Sequence, residues 1–398
     1  MGNEESTTGA VAIRQLPADM YLPMGGMRMN DEKGKTPAQA ESPVTRPHQR
    51  THIVKTAFSG IWSLEDPDSL TIPSSRTGHF STYCDALKVA VIGLGIGSDG
   101  QFYDDIWLLK PLERSWSQLP LNSTNGQISP RSGARATVIG TTLYIFGGSH
   151  EPMFYNDLYA VNLENGNIKF VQTTGQVPSP RTYPVLSSHN KEIILWGGYD
   201  GTWPSELYIL DTETFVWACH PQDIGGRTNI AYDKVGDHIF GYGSAKTGGL
   251  LDIDIPNRKV TLQPTTGPEP SAAITDAAFV HFDNYLMFIG GKAASASTLI
   301  YAIDLTSFRW FVFHILPDGS TVSAVDGIIS DLGFFMLPRT HSVGCIYVPE
   351  SREIIAFLGF PLKDPSQLFI LKVGEALSLL HLRTDMLQTI APVDPSHP

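Results

Sequence analysis

The sequence predicts an all-β fold: six small antiparallel sheets set radially as the blades of a propeller. Three observations predict it. A short apolar run ending in glycine recurs six times, a second apolar strand follows each run, and an aromatic residue follows that strand in most units. Recurrence of this kind, at periods of about 20 to 50 residues, marks propellers and solenoids rather than unrepeated folds. The 37 Gly and 28 Pro supply turns, while helix start and stop signals are scarce, which disfavours helical bundles and doubly wound α/β folds. At 398 residues and 42% hydrophobic, the chain can bury a large core without staples.

Residues 1–50 stand apart, with prolines at 17, 23, 37, 43 and 47 and no sustained apolar period; they are read as a disordered tail of balanced charge. The propeller is assigned to 51–373. Its apolar runs are Val89-Ala90-Val91-Ile92-Gly93, Leu143 to Gly148, Ile194 to Gly198, Ile239-Phe240-Gly241, Leu286 to Gly291 and Ile355 to Gly359. The following strands begin at Ile106, Leu158, Leu207, Leu250, Leu299 and Leu368, with alternating apolar positions. Trp116, Phe170, Trp217 and Trp310 then fall on an outer strand, where blades splay and a large side chain fills the gap. Ahead of five glycine turns stands an arginine: Arg76, Arg131, Arg181, Arg227 and Arg339; the fifth unit has Ser271-Ala272 in that place. Glycine pairs permit positive φ and close strand approach near a crowded axis.

An open ring would leave unpaired edges. Phe58 to Leu64, followed by Ser75-Arg76, repeats the spacing of Trp116 to Arg131 and is read as an outer strand joining the last blade beside Leu368 to Lys372. Residues 374–398 form a C-terminal extension. Within it, 375–390 fit a short helix, and Leu377 to Leu382 offer an alternative outer strand. About 28 residues separate Trp310 from Arg339, which predicts an inserted loop over 317–337.

These residues resemble the kelch family. Its blades carry a Pro-Arg start, a Gly-Gly turn, an Asn-Asp-Leu-Tyr-like third strand and a Trp. Pro130-Arg131, Gly147-Gly148 and Asn156-Asp157-Leu158-Tyr159 match best, and Pro180-Arg181, Gly197-Gly198, Leu207-Tyr208 and Trp217 follow. The resemblance covers about residues 55–373. Departures are Gly241-Tyr242-Gly243 in the fourth unit and the missing arginine in the fifth. It implies a domain that binds protein partners, in which arginines at such positions contact acidic ligands or tie blades through backbone carbonyls. Bidentate guanidinium forks suit either role.

Enzymatic chemistry finds little support. Gly95-Ile96-Gly97-Ser98-Asp99-Gly100 spells a dinucleotide fingerprint, but strand-like Phe102 to Trp107 follows where a helix N-terminus would be required. No G-x-S-x-G elbow occurs, the 12 histidines are scattered, and the pair His48 and His52 has i, i+4 spacing without a predicted helix. No catalytic residue, metal or cofactor is expected. The three distant cysteines fit a reducing, cytoplasmic compartment. A formal charge of −12 disfavours nucleic acid. Met1-Gly2-Asn3-Glu4-Glu5-Ser6 fits the N-myristoylation pattern at Gly2, and one such chain supports only reversible, peripheral membrane contact.

The expected function is a monomeric scaffold or adaptor binding a protein partner through loops on the propeller faces, such as His150 to Tyr155, Asp200 to Pro204, Ala293 to Ser297 and 317–337. Phe154, Trp203 and the five arginines are the candidate contacts. The alternative is an enzyme acting on a sugar or small anionic metabolite at an arginine-lined channel mouth.

Overall fold

The computed structural model describes residues 51–54, 59–123, 126–292, 297–312, 314–317, 328–329, 335–338, 340–362, 364–373 and 380–383. The tail over 1–50, Gly2 and Arg339 lie outside them. Six main antiparallel sheets form the blades. In each, strands A to D run from the innermost to the outermost.

Blade 1 is Phe80–Cys84, Val89–Gly93, Ile106–Lys110 and Ser115–Gln118. Blade 2 is Arg135–Ile139, Thr142–Phe146, Leu158–Asn162 and Asn167–Val171. Blade 3 is Val185–His189, Glu192–Trp196, Leu207–Asp211 and Val216–His220. Blade 4 is Ala231–Val235, His238–Tyr242, Leu250–Asp254 and Lys259–Gln263. Blade 5 is Thr275–Phe282, Tyr285–Lys292, Tyr301–Asp304 and Arg309–Val312. Blade 6 takes strands A to C from Gly344–Val348, Glu353–Phe357 and Leu368–Val373, and strand D from Ser59–Glu65.

The ring therefore closes as the sequence predicts. Strand Ser59–Glu65 pairs antiparallel with Leu368–Val373, from Gly60 opposite Val373 to Glu65 opposite Leu368. The helix expected over 375–390 is corrected in part: Leu380–Arg383 is a strand, paired with Thr51–Val54 rather than with the last blade. The flanking residues 375–379 and 384–390 lie outside the described ones. The expected loop over 317–337 also holds regular structure. His314–Pro317 runs parallel to the outer strand of blade 6, and Phe335–Pro338 joins Ile328–Ile329 and Ser297–Thr298 in a small sheet.

A lone four-stranded sheet cannot bury both faces, so the core lies between blades. Six apolar clusters occupy the six junctions, for example Phe146, Leu158, Leu195 and Trp217 between blades 2 and 3. The outer-strand tryptophans reach across them. Trp116 meets Phe357, Trp217 meets Phe146 and Trp310 meets Tyr242, at 5.5, 5.8 and 4.9 Å between ring centroids. Each is steeply inclined to its partner, the orientation aromatic quadrupoles favour.

Candidate functional site

The chain enters each blade at the same end as its glycine turn, and there the blades are stitched together through backbone. The N–H groups of Gly95, Gly148, Gly198, Ser244, Gly291 and Gly359 donate to the carbonyls of Arg131, Arg181, Arg227, Ile274, Thr340 and Arg76, at 2.7–3.0 Å. This makes a closed circle with one bond per junction. It also corrects the register read from sequence. Gly93 and Gly241 sit inside B strands, and the equivalent turn pairs are Leu94-Gly95 and Gly243-Ser244. Thr340, rather than Arg339, stands in the arginine position of blade 6, and Ile274, rather than Ser271-Ala272, in that of blade 5.

Two residues after each of these positions lie Gly78, Gly133, Tyr183, Asn229, Asp276 and Ser342, all at positive φ between 51° and 69°. Five bonds link them into a second tier: Gly133 donates to Gly78, Tyr183 to Gly133, Asn229 to Tyr183, Asp276 to Asn229 and Ser342 to Asp276. Sequence reading missed this tier, because only two of its six members are glycine.

The arginines serve the same architecture. Arg76, Arg131, Arg181 and Arg227 are 1, 2, 1 and 7% exposed. In each, a terminal nitrogen donates to the carbonyl of the first turn residue of its own blade, at Leu94, Gly147, Gly197 and Gly243. Arg76 and Arg131 also fork onto Asp105 and Asp157 and lie 4.0 and 3.6 Å from the ring centroids of Tyr103 and Tyr155. Four of the five expected arginines thus share one place in successive blades, turned into the blade walls, and Arg339 lies outside the described residues. Burial pushes Arg181 and Arg227 below the ordinary guanidinium range.

The same end carries the loops between strands B and C. Here the structure brings Phe154 and Trp203 together from two blades. Phe154, half-buried, meets Tyr199 edge-on at 5.9 Å, and Tyr199 meets Trp203 at 5.7 Å. Trp203 is 61% and Met153 57% exposed. Phe102 of blade 1 stacks on His150 of blade 2 at 4.1 Å, a separate ring contact across the neighbouring junction. The fingerprint at Gly95 to Gly100 belongs to this set. Ile96 bridges Thr77 and Phe102, Gly97 accepts from Gly100, and strand Ile106–Lys110 follows with no helix.

A channel of about 410 Å³ runs along the A strands, with Gly78, Asn229 and Asp276 near one end and Tyr83, Lys234 and Tyr347 near the other. Arg135, also unnoticed in the sequence, places its guanidinium 5.2 Å from the Tyr183 ring centroid and donates to Asn229 at 3.2 Å. His79 is buried beside it. Burial, then the charges of Arg76 and Arg135, push its pKa down to about 3, so its imidazole is neutral at pH 7. Burial would raise the Asp276 carboxyl, but hydrogen bonds from Lys292 and Asn229 outweigh it and hold the group below its usual range. Among the described residues no cluster of three or more His, Cys, Asp or Glu could hold a metal ion.

The family model for the KLHDC2/KLHL20/DRC7 Kelch-repeats domain matches residues 44–243. The chain belongs to the kelch-repeat family. Relatives include Host cell factor of Drosophila melanogaster, 25% identical over 46% of this chain and 14% of that protein. Host cell factor 1 of Rattus norvegicus is 27% identical over 34% of this chain and 8% of its own length. Acyl-CoA-binding domain-containing protein 5 of Arabidopsis thaliana is 29% identical over 31% and 20%. The chain thus spans a fifth or less of these relatives.

Proposed function

We propose that this kelch propeller is a non-catalytic interaction module whose B–C loop face binds a protein partner. The observation that carries the reading is the pairing of a rigid frame with exposed apolar side chains. The loop ends are pinned by the backbone circle, while Trp203 and Met153 between them stand 61 and 57% exposed. Aromatic anchors on a preorganised surface cost little ordering entropy and dominate binding energy where they occur. In this reading the buried arginines maintain the frame and the loop aromatics make the contact. Family membership supports the same role, since kelch propellers typically mediate protein interactions. Site-specific photo-crosslinking tests it. A crosslinker at position 203 is expected to trap a protein partner, and one at Lys259, on an outer strand, is not. Equal labelling from both positions, or none from 203, would overturn the proposal.

A further inference from the structure

The loop face is chemically lopsided. In blades 1 to 3 the B–C loops, residues 95–105, 149–157 and 199–206, contain no lysine or arginine. They carry Asp99, Asp104, Glu151, Asp200 and Glu206, and none of these forms an ion pair among the described residues. Asp105 and Asp157 in the same loops are already held by Arg76 and Arg131. Blade 4 carries Lys246 in its B–C loop, and Lys292 at the same end of blade 5 is held by Asp276. The loop aromatics share the acidic sector: half-buried Phe154 and Tyr199 and exposed Trp203 are continuous through ring contacts.

Resting on the interaction-module reading, we propose that the sector formed by blades 1 to 3 docks a basic, Lys/Arg-bearing segment of the partner. Two properties select that chemistry. Unpaired carboxylates beside a rigid surface attract guanidinium and ammonium groups and repel acidic ones. Tryptophan and tyrosine faces accept cations through their quadrupoles, with tryptophan the best of the ring systems. An arginine seated on Trp203 would stack on the indole and reach toward Asp200, whose carboxylate is kept ionised by hydrogen bonds from Ser179 and Thr202. An acidic segment would meet five unpaired carboxylates with no cation in those loops to answer it.

The test is fluorescence anisotropy with three labelled peptides of equal length and aromatic content: one Lys/Arg-rich, one Asp/Glu-rich and one uncharged. They are titrated onto the full chain at low and high salt. The basic peptide is expected to bind at least about tenfold more tightly than the other two and to weaken as salt rises. Trp203→Ala and Glu151→Lys should each weaken it by about tenfold, with unchanged melting temperatures establishing that the variants fold. Basic-peptide binding that is indifferent to both substitutions, or preference for the acidic or uncharged peptide, would overturn the proposal. In that case a crosslink trapped from position 203 would leave the broader reading standing, whereas absence of both would remove the two together.

Discussion

At the residue scale, chemically identical arginines do graded work. Arg131 donates a fork to Asp157 at 2.5 and 3.0 Å, bonds to the carbonyls of Ser129 and Gly147 and stacks on Tyr155. Arg227 makes one long bond, 3.4 Å, to Gly243. Arg131→Met strands a largely buried carboxylate and should cost about 3–5 kcal/mol. Arg227→Met should cost about 1 kcal/mol. Urea titrations of the two variants check the order, and equal losses would refute it. His79 sets a second expectation. Its folded pKa lies near 3, below the ordinary 6.5, so below pH 6.5 the unfolded chain binds the extra proton. The stabilisation is complete above about pH 6.5 and falls by about 1.4 kcal/mol per unit as pH drops toward 3. His79→Gln should flatten that part of the stability–pH curve, and an unaltered slope would rule out His79 as its source.

Among the elements, the glycine turns separate conformational need from steric need. Gly197 has φ +68°, and a Cβ there would lie 2.4 Å from the carbonyl oxygen of Arg227 in the next blade. Gly201 has φ +104° with nothing within 4 Å. Gly201→Ala meets backbone strain alone, of order 1 kcal/mol. Gly197→Ala must in addition push two blades apart, so a clearly larger fall in melting temperature is expected, and thermal denaturation of the pair checks it. The turns also mark what was legible in the sequence. Strand runs, outer tryptophans and the loop positions of Phe154 and Trp203 could be read because hydrophobic periodicity and loop aromatics are local properties. The turn register in blades 1 and 4 could not, because Gly93 and Gly241 mimic a turn glycine while Leu94 and Ser244 take positive φ without being glycine. Likewise Pro338-Arg339 imitates a blade start, and only the bond from Gly291 to Thr340 fixes the frame. Contacts between neighbouring blades decide these positions, and a single strand's sequence does not encode them.

For the molecule as a whole, closure is the organising fact. Trp62, 3% exposed, packs in the cluster between blades 5 and 6 with Ile354, Leu371 and Phe311. Removing residues 1–66 should strip that cluster, expose strand Leu368–Val373 as an open edge and give aggregation-prone protein. Removing 1–50 should leave the melting temperature unchanged. Light scattering and calorimetry of the two truncations distinguish the cases, and a soluble, normally melting product without residues 59–65 would sink the closure account. The acidic sector of blades 1 to 3 also belongs to this scale, since its charge emerges only when three loops distant in sequence are brought to one face.

Borrowing strand D of the sixth blade from the start of the ring imposes an order of events on biosynthesis. Ser59–Glu65 leaves the ribosome early, while its antiparallel neighbour Leu368–Val373 is translated some three hundred residues later. Blades 1 to 5 can assemble in turn as they emerge, but the early strand must wait without its mate. A nascent chain halted before residue 368 would hold an unlatched arc, open to chaperones or to the same segment of a neighbouring polypeptide.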